Sequence, residues 1–196
     1  MSSPVKLNFK VYQGATFNEV LRWESSKKIY KPITNVTQAA PCIVTSTAHG
    51  VPDGWRVKIT NVGGMAELNS VENYIQATKL TADSIELNSI NAVGYKAYTS
   101  GGILEYNEPV SLVGYTARMQ IREKVDSIEF IDELTTANSG IVIDETNSRI
   151  TLYISAVDTA AYTFSSAVYS LELISPTSEV IPLANGTLTL VKEVTR

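Results

Sequence analysis

The sequence predicts an all-β protein, a discontinuous β-sandwich carrying a small inserted β-barrel, and three observations carry that expectation. Apolar residues recur at every second position through most of the chain, the period of strands with one buried and one wet face. Turn residues interrupt these runs at the short intervals of a sandwich or barrel. Glycine is unevenly spread: seven of the eleven (Gly50, Gly54, Gly63, Gly64, Gly94, Gly101 and Gly102) fall between positions 33 and 106. That shift divides the chain into one domain formed by 1–32 and 107–196 and a second formed by 33–106.

The elements come in this order along the chain. "KLNFKVY" sets Leu7, Phe9 and Val11 on one face and Lys6, Asn8 and Lys10 on the other, and "TFNEVLRW" has a two-residue period of its own. "SSKKIYKP", closing on Pro32, and "YNEP", closing on Pro109, read as paired linkers. Between them lie the shorter strands "CIVTS", "WRVKIT", "NYIQAT", "SIELN" and "GGILEY", divided by "HGVPDG", "VGGM", "AVGY" and "SGG". Beyond Pro109, "YTARMQIR" faces Tyr115, Ala117, Met119 and Ile121 inward. "SRITLYI" does the same with Ile150, Leu152 and Ile154, "AVYSLELI" with Tyr169, Leu171 and Leu173, and "GTLTLVKEV" with Leu188 and Leu190. Turns are expected at Gly114, Asn138–Gly140, Asp144–Ser148, Ser175–Glu179 and Ala184–Gly186. The single helical turn expected is "SAVDTAAY", where Ser155 caps and Asp158 sits three residues on.

Composition narrows the function classes. With 44% hydrophobic and 18% charged residues, the 196-residue chain has the apolar content that disordered chains lack. A net charge of −4 offers no basic patch for a phosphate backbone, so no nucleic-acid partner is expected. One cysteine excludes an internal disulfide. No apolar run reaches the length of a membrane span, and "MSSPVKLNFKVYQG" has no apolar leader core, so the expectation is a chain made in the cytoplasm and not held in a membrane. The sequons "NVT" and "NGT", without an export signal, carry no weight.

Two resemblances sharpen this. The pattern P-x-x-V-T…AHG…DG-x-x-V-x-I-x-x-V-x-GM-x-x-LN is met by Pro41, Val44, Thr45, Ala48, His49, Gly50, Asp53, Gly54, Val57, Ile59, Val62, Gly64, Met65, Leu68 and Asn69. The segment bearing it resembles a small β-barrel module that recurs in tailed-bacteriophage virion proteins and is similar to the first catalytic cysteine half-domain of ubiquitin-activating enzyme. The flanks, "VYQGATFNEVLRWES" and the stretch from "NEPVSLVGYTARMQIREK" to Arg196, resemble an immunoglobulin-like tail or neck protein of tailed phages. The resemblance implies a discontinuous immunoglobulin-like β-sandwich with the barrel inserted in a surface loop. It further implies a non-enzymatic virion component of the tail, neck, baseplate or a fibre adaptor, with other virion proteins and copies of itself as partners. The alternative is a receptor- or glycan-binding module that takes a host-surface glycan on Tyr95, Tyr98 and Tyr106.

The chemical candidates are few. Cys42 and His49, the only residues of their types, lie seven apart in "PCIVTSTAHG". A nucleophilic cysteine needs a lowered pKa and an orienting base, whereas Cys42 opens an apolar strand and His49 sits in a turn. One Cys and one His do not make a zinc site. Glu123, Asp126, Glu129, Asp132 and Glu133, with Asp144 and Glu145, match no calcium loop; Ile128, Phe130 and Ile131 interrupt them as core-like residues. Trp23 and Trp55 fall on inward strand phases. No catalytic, cofactor-binding or metal-binding residue, and no cofactor, is expected.

Overall fold

The computed structural model describes residues 3–70 and 72–194. The protein is almost entirely β-structure, in two compact units. One comprises the chain up to Arg22 and from Ser111 onward; the other is Trp23–Val110. The boundary expected at 106/107 falls within a strand, and that at 32/33 falls at the end of one.

The first unit is a two-sheet sandwich. Its larger sheet joins β1 (Val5–Lys6), β2 (Phe9–Tyr12), β11 (Thr116–Arg122), β12 (Asp132–Thr135), β15 (Ser166–Ile174) and β16 (Val180–Val191) in the order β1-β16-β15-β11-β12, with β2 also on β16. The smaller is β13 (Ile141–Asp144), β14 (Arg149–Ile154) and β3 (Phe17–Arg22), in the order β13-β14-β3. The inward phase is the expected one: Ala117, Met119, Ile121, Ile150, Leu152, Ile154, Tyr169, Leu171, Leu173, Leu188 and Leu190 are all buried. Helix α1 (Ala156–Ala161) starts where its cap predicts, with Ser155 Oγ accepting from the Asp158 amide.

Two expectations are corrected. Ala184–Gly186 is no turn but part of the long strand β16, paired to β15 as Leu171↔Ala184 and Tyr169↔Gly186, beside a bulge at Leu171/Glu172. The glycine serves close approach instead. A Cβ on Gly186 would lie 1.7 Å from the Leu7 carbonyl oxygen, so only a residue without one fits. Ile128, Phe130 and Ile131 are not core: they are 89%, 49% and 39% exposed on the β11–β12 connection. Alternation stops at Arg122, and past it no strand turns these side chains inward.

The second unit is an open half-barrel of seven strands, ordered β4-β10-β7-β8-β9-β6-β5. In chain order these are β4 (Glu24–Pro32), β5 (Asn35–Val36), β6 (Cys42–Thr45), β7 (Arg56–Gly63), β8 (Ile75–Lys79), β9 (Ser84–Leu87) and β10 (Ser100–Pro109). The two segments expected as linkers are thus strands. β4 and β10 pair antiparallel from Pro32↔Ile103 to Glu24↔Pro109, and Val110 N–H closes the ribbon on the Trp23 carbonyl at 3.0 Å. "SSKKIYKP" turns Ile29 onto the core and Tyr30 to solvent, an alternation that three lysines hide from a reading by composition. The core holds Val44, Trp55, Val57, Ile59, Met65, Leu68, Ile85, Leu87 and Leu104, all buried.

Candidate functional site

Cys42 and His49 are placed by the half-barrel's core, and each is spent on local structure. Cys42, on β6, is fully buried; its Sγ points to the Thr37 carbonyl at 3.4 Å, and burial pushes the thiol up to about 11. A thiol held neutral is a poor nucleophile. His49 Nδ1 accepts from Val51 N–H at 2.9 Å, which leaves the proton on Nε2, donated to the Thr81 carbonyl at 3.0 Å. Its own carbonyl accepts from Tyr106 Oη at 2.7 Å. Burial, ahead of the other influences, lowers its pKa, so the ring is a neutral brace tying the Ala48–Val51 turn to the Thr81–Ser84 turn. The imidazole has no free nitrogen to activate a thiol.

The acidic residues separate. Glu123, Asp126 and Glu129 are exposed on the β11–β12 connection. Asp132 takes the Tyr162 hydroxyl, and Glu133 accepts from Gln120 at 2.6 Å. Asp144 accepts from the Asn147 amide at 3.0 Å, from its side chain at 2.8 Å and from Arg149 at 3.0 Å, and these bonds, the Asn147 side chain foremost, hold its carboxyl below the usual range. Glu145 accepts from Gly114 N–H at 2.9 Å. These are turn and strand-pair supports. Among the described residues no three His, Cys, Asp or Glu side chains are placed to hold a metal ion. No helix among them is long and apolar enough to cross a membrane.

The aromatic candidates lie inward. Trp55 is fully buried and donates Nε1–H to the Asn107 carbonyl at 2.9 Å; Trp23 is half-buried. Tyr106 is buried, and Tyr95 and Tyr98 pack half-buried on the same core, with Tyr98 Oη donating to Gly101 O at 3.0 Å. They form no exposed cluster.

Two surfaces escaped the sequence reading. On the outer face of the half-barrel, Tyr74 lies under the Lys28 ammonium at 5.1 Å and the Arg56 guanidinium at 5.5 Å, and donates its hydroxyl to Glu105 at 2.6 Å. Lys28 also pairs with Glu105, and Arg56 grips Glu24 with Nε and Nη2 at 2.9 and 2.6 Å. The hydrogen bonds from Lys28 and Tyr74 keep the Glu105 carboxyl below its ordinary range. Arranged this way, the five side chains stitch β4, β10 and β7 to the start of β8. Only the strand character of "SSKKIYKP" would have signalled this.

The other surface is apolar and belongs to the sandwich. Val125 and Ile128 are 80% and 89% exposed, with Phe130 and Ile131 beside them. Glu123 and Ile131 border a cleft of about 380 Å³ with Thr163, Phe164, Ser165 and Ser166. Separately, the smaller sheet carries an outward row of its own, Val142 and Val20 on either side of Thr151. No protein-family model matches the chain, and no curated protein sequence is significantly similar to it.

Proposed function

We propose that this protein is a non-enzymatic structural component of a tailed-phage virion, in the tail, neck, baseplate or a fibre adaptor, working through protein–protein contacts. It is made in the bacterial host's cytoplasm and built into the particle beside other virion proteins and copies of itself. The observation that carries the reading is the apolar connection Val125–Ile131: four large apolar side chains kept in solvent at one place, at a cost that burial against a neighbour recovers. The half-barrel motif and the sandwich flanks, by their resemblance, supply the class of particle. Symmetric copies multiply weak contacts of this kind. The competing receptor- or glycan-binding role required Tyr95, Tyr98 and Tyr106 in the open, and their packing on the core favours assembly instead.

Particles purified from bacterial cells that make the chain, tested for its presence and reconstructed, test the proposal. The expected result is ordered density with Val125–Ile131 against a neighbouring subunit. A chain absent from particles, or one that turns over a substrate when pure, overturns it.

A further inference from the structure

A single register runs through the first two strands. Val5 and Lys6 of β1 lie beside Ala184 and Asn185 of β16, and Phe9 through Tyr12 of β2 lie beside Leu188 through Val191, all parallel and at one constant offset. The interruption at Leu7 and Asn8 is bridged rather than open. Leu7 N–H donates to the Asn185 carbonyl at 2.8 Å, and the Asn8 side-chain oxygen accepts from both Thr187 N–H and Thr187 Oγ at 3.1 Å, replacing a ladder bond with a side-chain one. The Leu7 carbonyl turns to the Tyr169 hydroxyl at 2.9 Å, over Gly186. At the far end Gln13 N–H reaches the Val191 carbonyl at 2.9 Å, and Gln13 Nε2 reaches the Tyr162 carbonyl at 3.0 Å.

Parallel pairing decides how such a ladder meets a pull. Tension between the two ends of the chain enters at the Val5 end of β1 and leaves at the Val191 end of β16, which are opposite ends of the ladder. Every interstrand bond is then loaded at once, in shear. Antiparallel neighbours pulled from one shared end open bond by bond. Covalent order adds a second consequence. Residues 14 to 179, the whole half-barrel among them, lie between the clamped strands and off the path of the force.

We propose that β1, β2 and β16 form a shear clamp that carries tension applied between the two ends of the chain and keeps Trp23–Val110 unloaded until it ruptures. Such a clamp would act in the same way whichever particle or partner the protein serves.

Single-molecule force spectroscopy on the full chain tests it. Handles placed before Ser3 and after Val194 should give a first event at roughly twice the force, or more, of the same chain held at Ser165→Cys and after Val194, since one net hydrogen bond at a time is weak and a loaded row of them is not. In that second geometry β15 and β16 separate from their shared Ser166↔Thr189 end. The buried Cys42 leaves the introduced thiol as the reactive one. The Trp23–Val110 segment, about 300 Å when extended, should lengthen only after the first event. Asn8→Ala should lower the first-event force between the ends and leave the Ser165 geometry unchanged. Equal forces in the two geometries, or a half-barrel-sized lengthening ahead of the high-force event, overturns the proposal even where Asn8→Ala fails to fold.

Discussion

Strand residues supply most of the sandwich core, from Ala117, Met119 and Ile121 on β11 to Leu188 and Leu190 on β16. In the half-barrel, residues outside strands enter the core as well: His49 and Val51 before β7, Trp55 at its edge, Met65 and Leu68 at the 3-10 turn Ala66–Ser70, and Ala92 ahead of β10. The strands of the half-barrel do not supply its whole core, and residues of its loops complete it. The sandwich is therefore expected to be sensitive where strands approach closely, and the half-barrel where a loop is braced.

The largest effect should come from the closest approach. Gly186→Ala puts a methyl group against the Leu7 carbonyl and should cost about 3 kcal/mol or more, with thermal melting of the sandwich shifted far down or lost. The half-barrel's counterpart is Gly64, at φ +80° with a Cβ position 2.2 Å from the Ala97 carbonyl. Gly94→Ala, with nothing within 4 Å, should leave melting unchanged.

Next comes the brace. His49→Ala strands the buried Val51 amide and removes the bond to the part-buried Thr81 carbonyl, and should cost about 2 kcal/mol or more by equilibrium unfolding, since an abandoned buried group costs about 1–3 kcal/mol. The same ring sets a pH dependence. Its folded pKa lies below the ordinary 6.5, so near neutral pH both states are uncharged and nothing is lost. As pH falls through about 6.5 the unfolded chain takes up a proton that the folded one refuses, and stability drops. His49→Gln should flatten that portion of the stability–pH curve; an unchanged slope would show that another group is responsible. Cys42 should meanwhile resist thiol reagents until denaturant is added.

Excision probes whether the two units are separable. Joining Arg22 to Ser111 through a short turn should leave a folded sandwich within about 1 kcal/mol of its stability in the full chain, because loop closure depends only weakly on length. Trp23–Val110 alone should melt cooperatively. A molten product from the joined flanks would show that the sandwich depends on the half-barrel. The smallest effect is expected at the surface pair Arg118–Glu172, 2.8 Å apart: Glu172→Gln should change stability by about 0.5 kcal/mol or less, and less again in high salt.

What was legible before folding was whatever neighbouring residues decide among themselves. The inward phases of β11, β14 and β15 follow from the two-residue pleat, and the start of α1 follows from Ser155 and Asp158, three positions apart. The spent state of Cys42 was half visible, since an apolar strand start already argues for a buried thiol. Tertiary structure decided the rest, wherever the deciding partner is remote in the chain. Gly186 looks like turn punctuation until Leu7, far away in sequence, lays its carbonyl across it. "SSKKIYKP" becomes a strand because β10 arrives to pair with it, and Tyr74 joins Lys28 and Glu105 only once three strands are side by side. Ile128 and Phe130 have core chemistry but no sheet to turn them inward, so their exposure is a property of the fold. His49 takes its meaning from Thr81 and Tyr106, because a hydrogen bond is set by distance in space and the order of residues does not contain that distance.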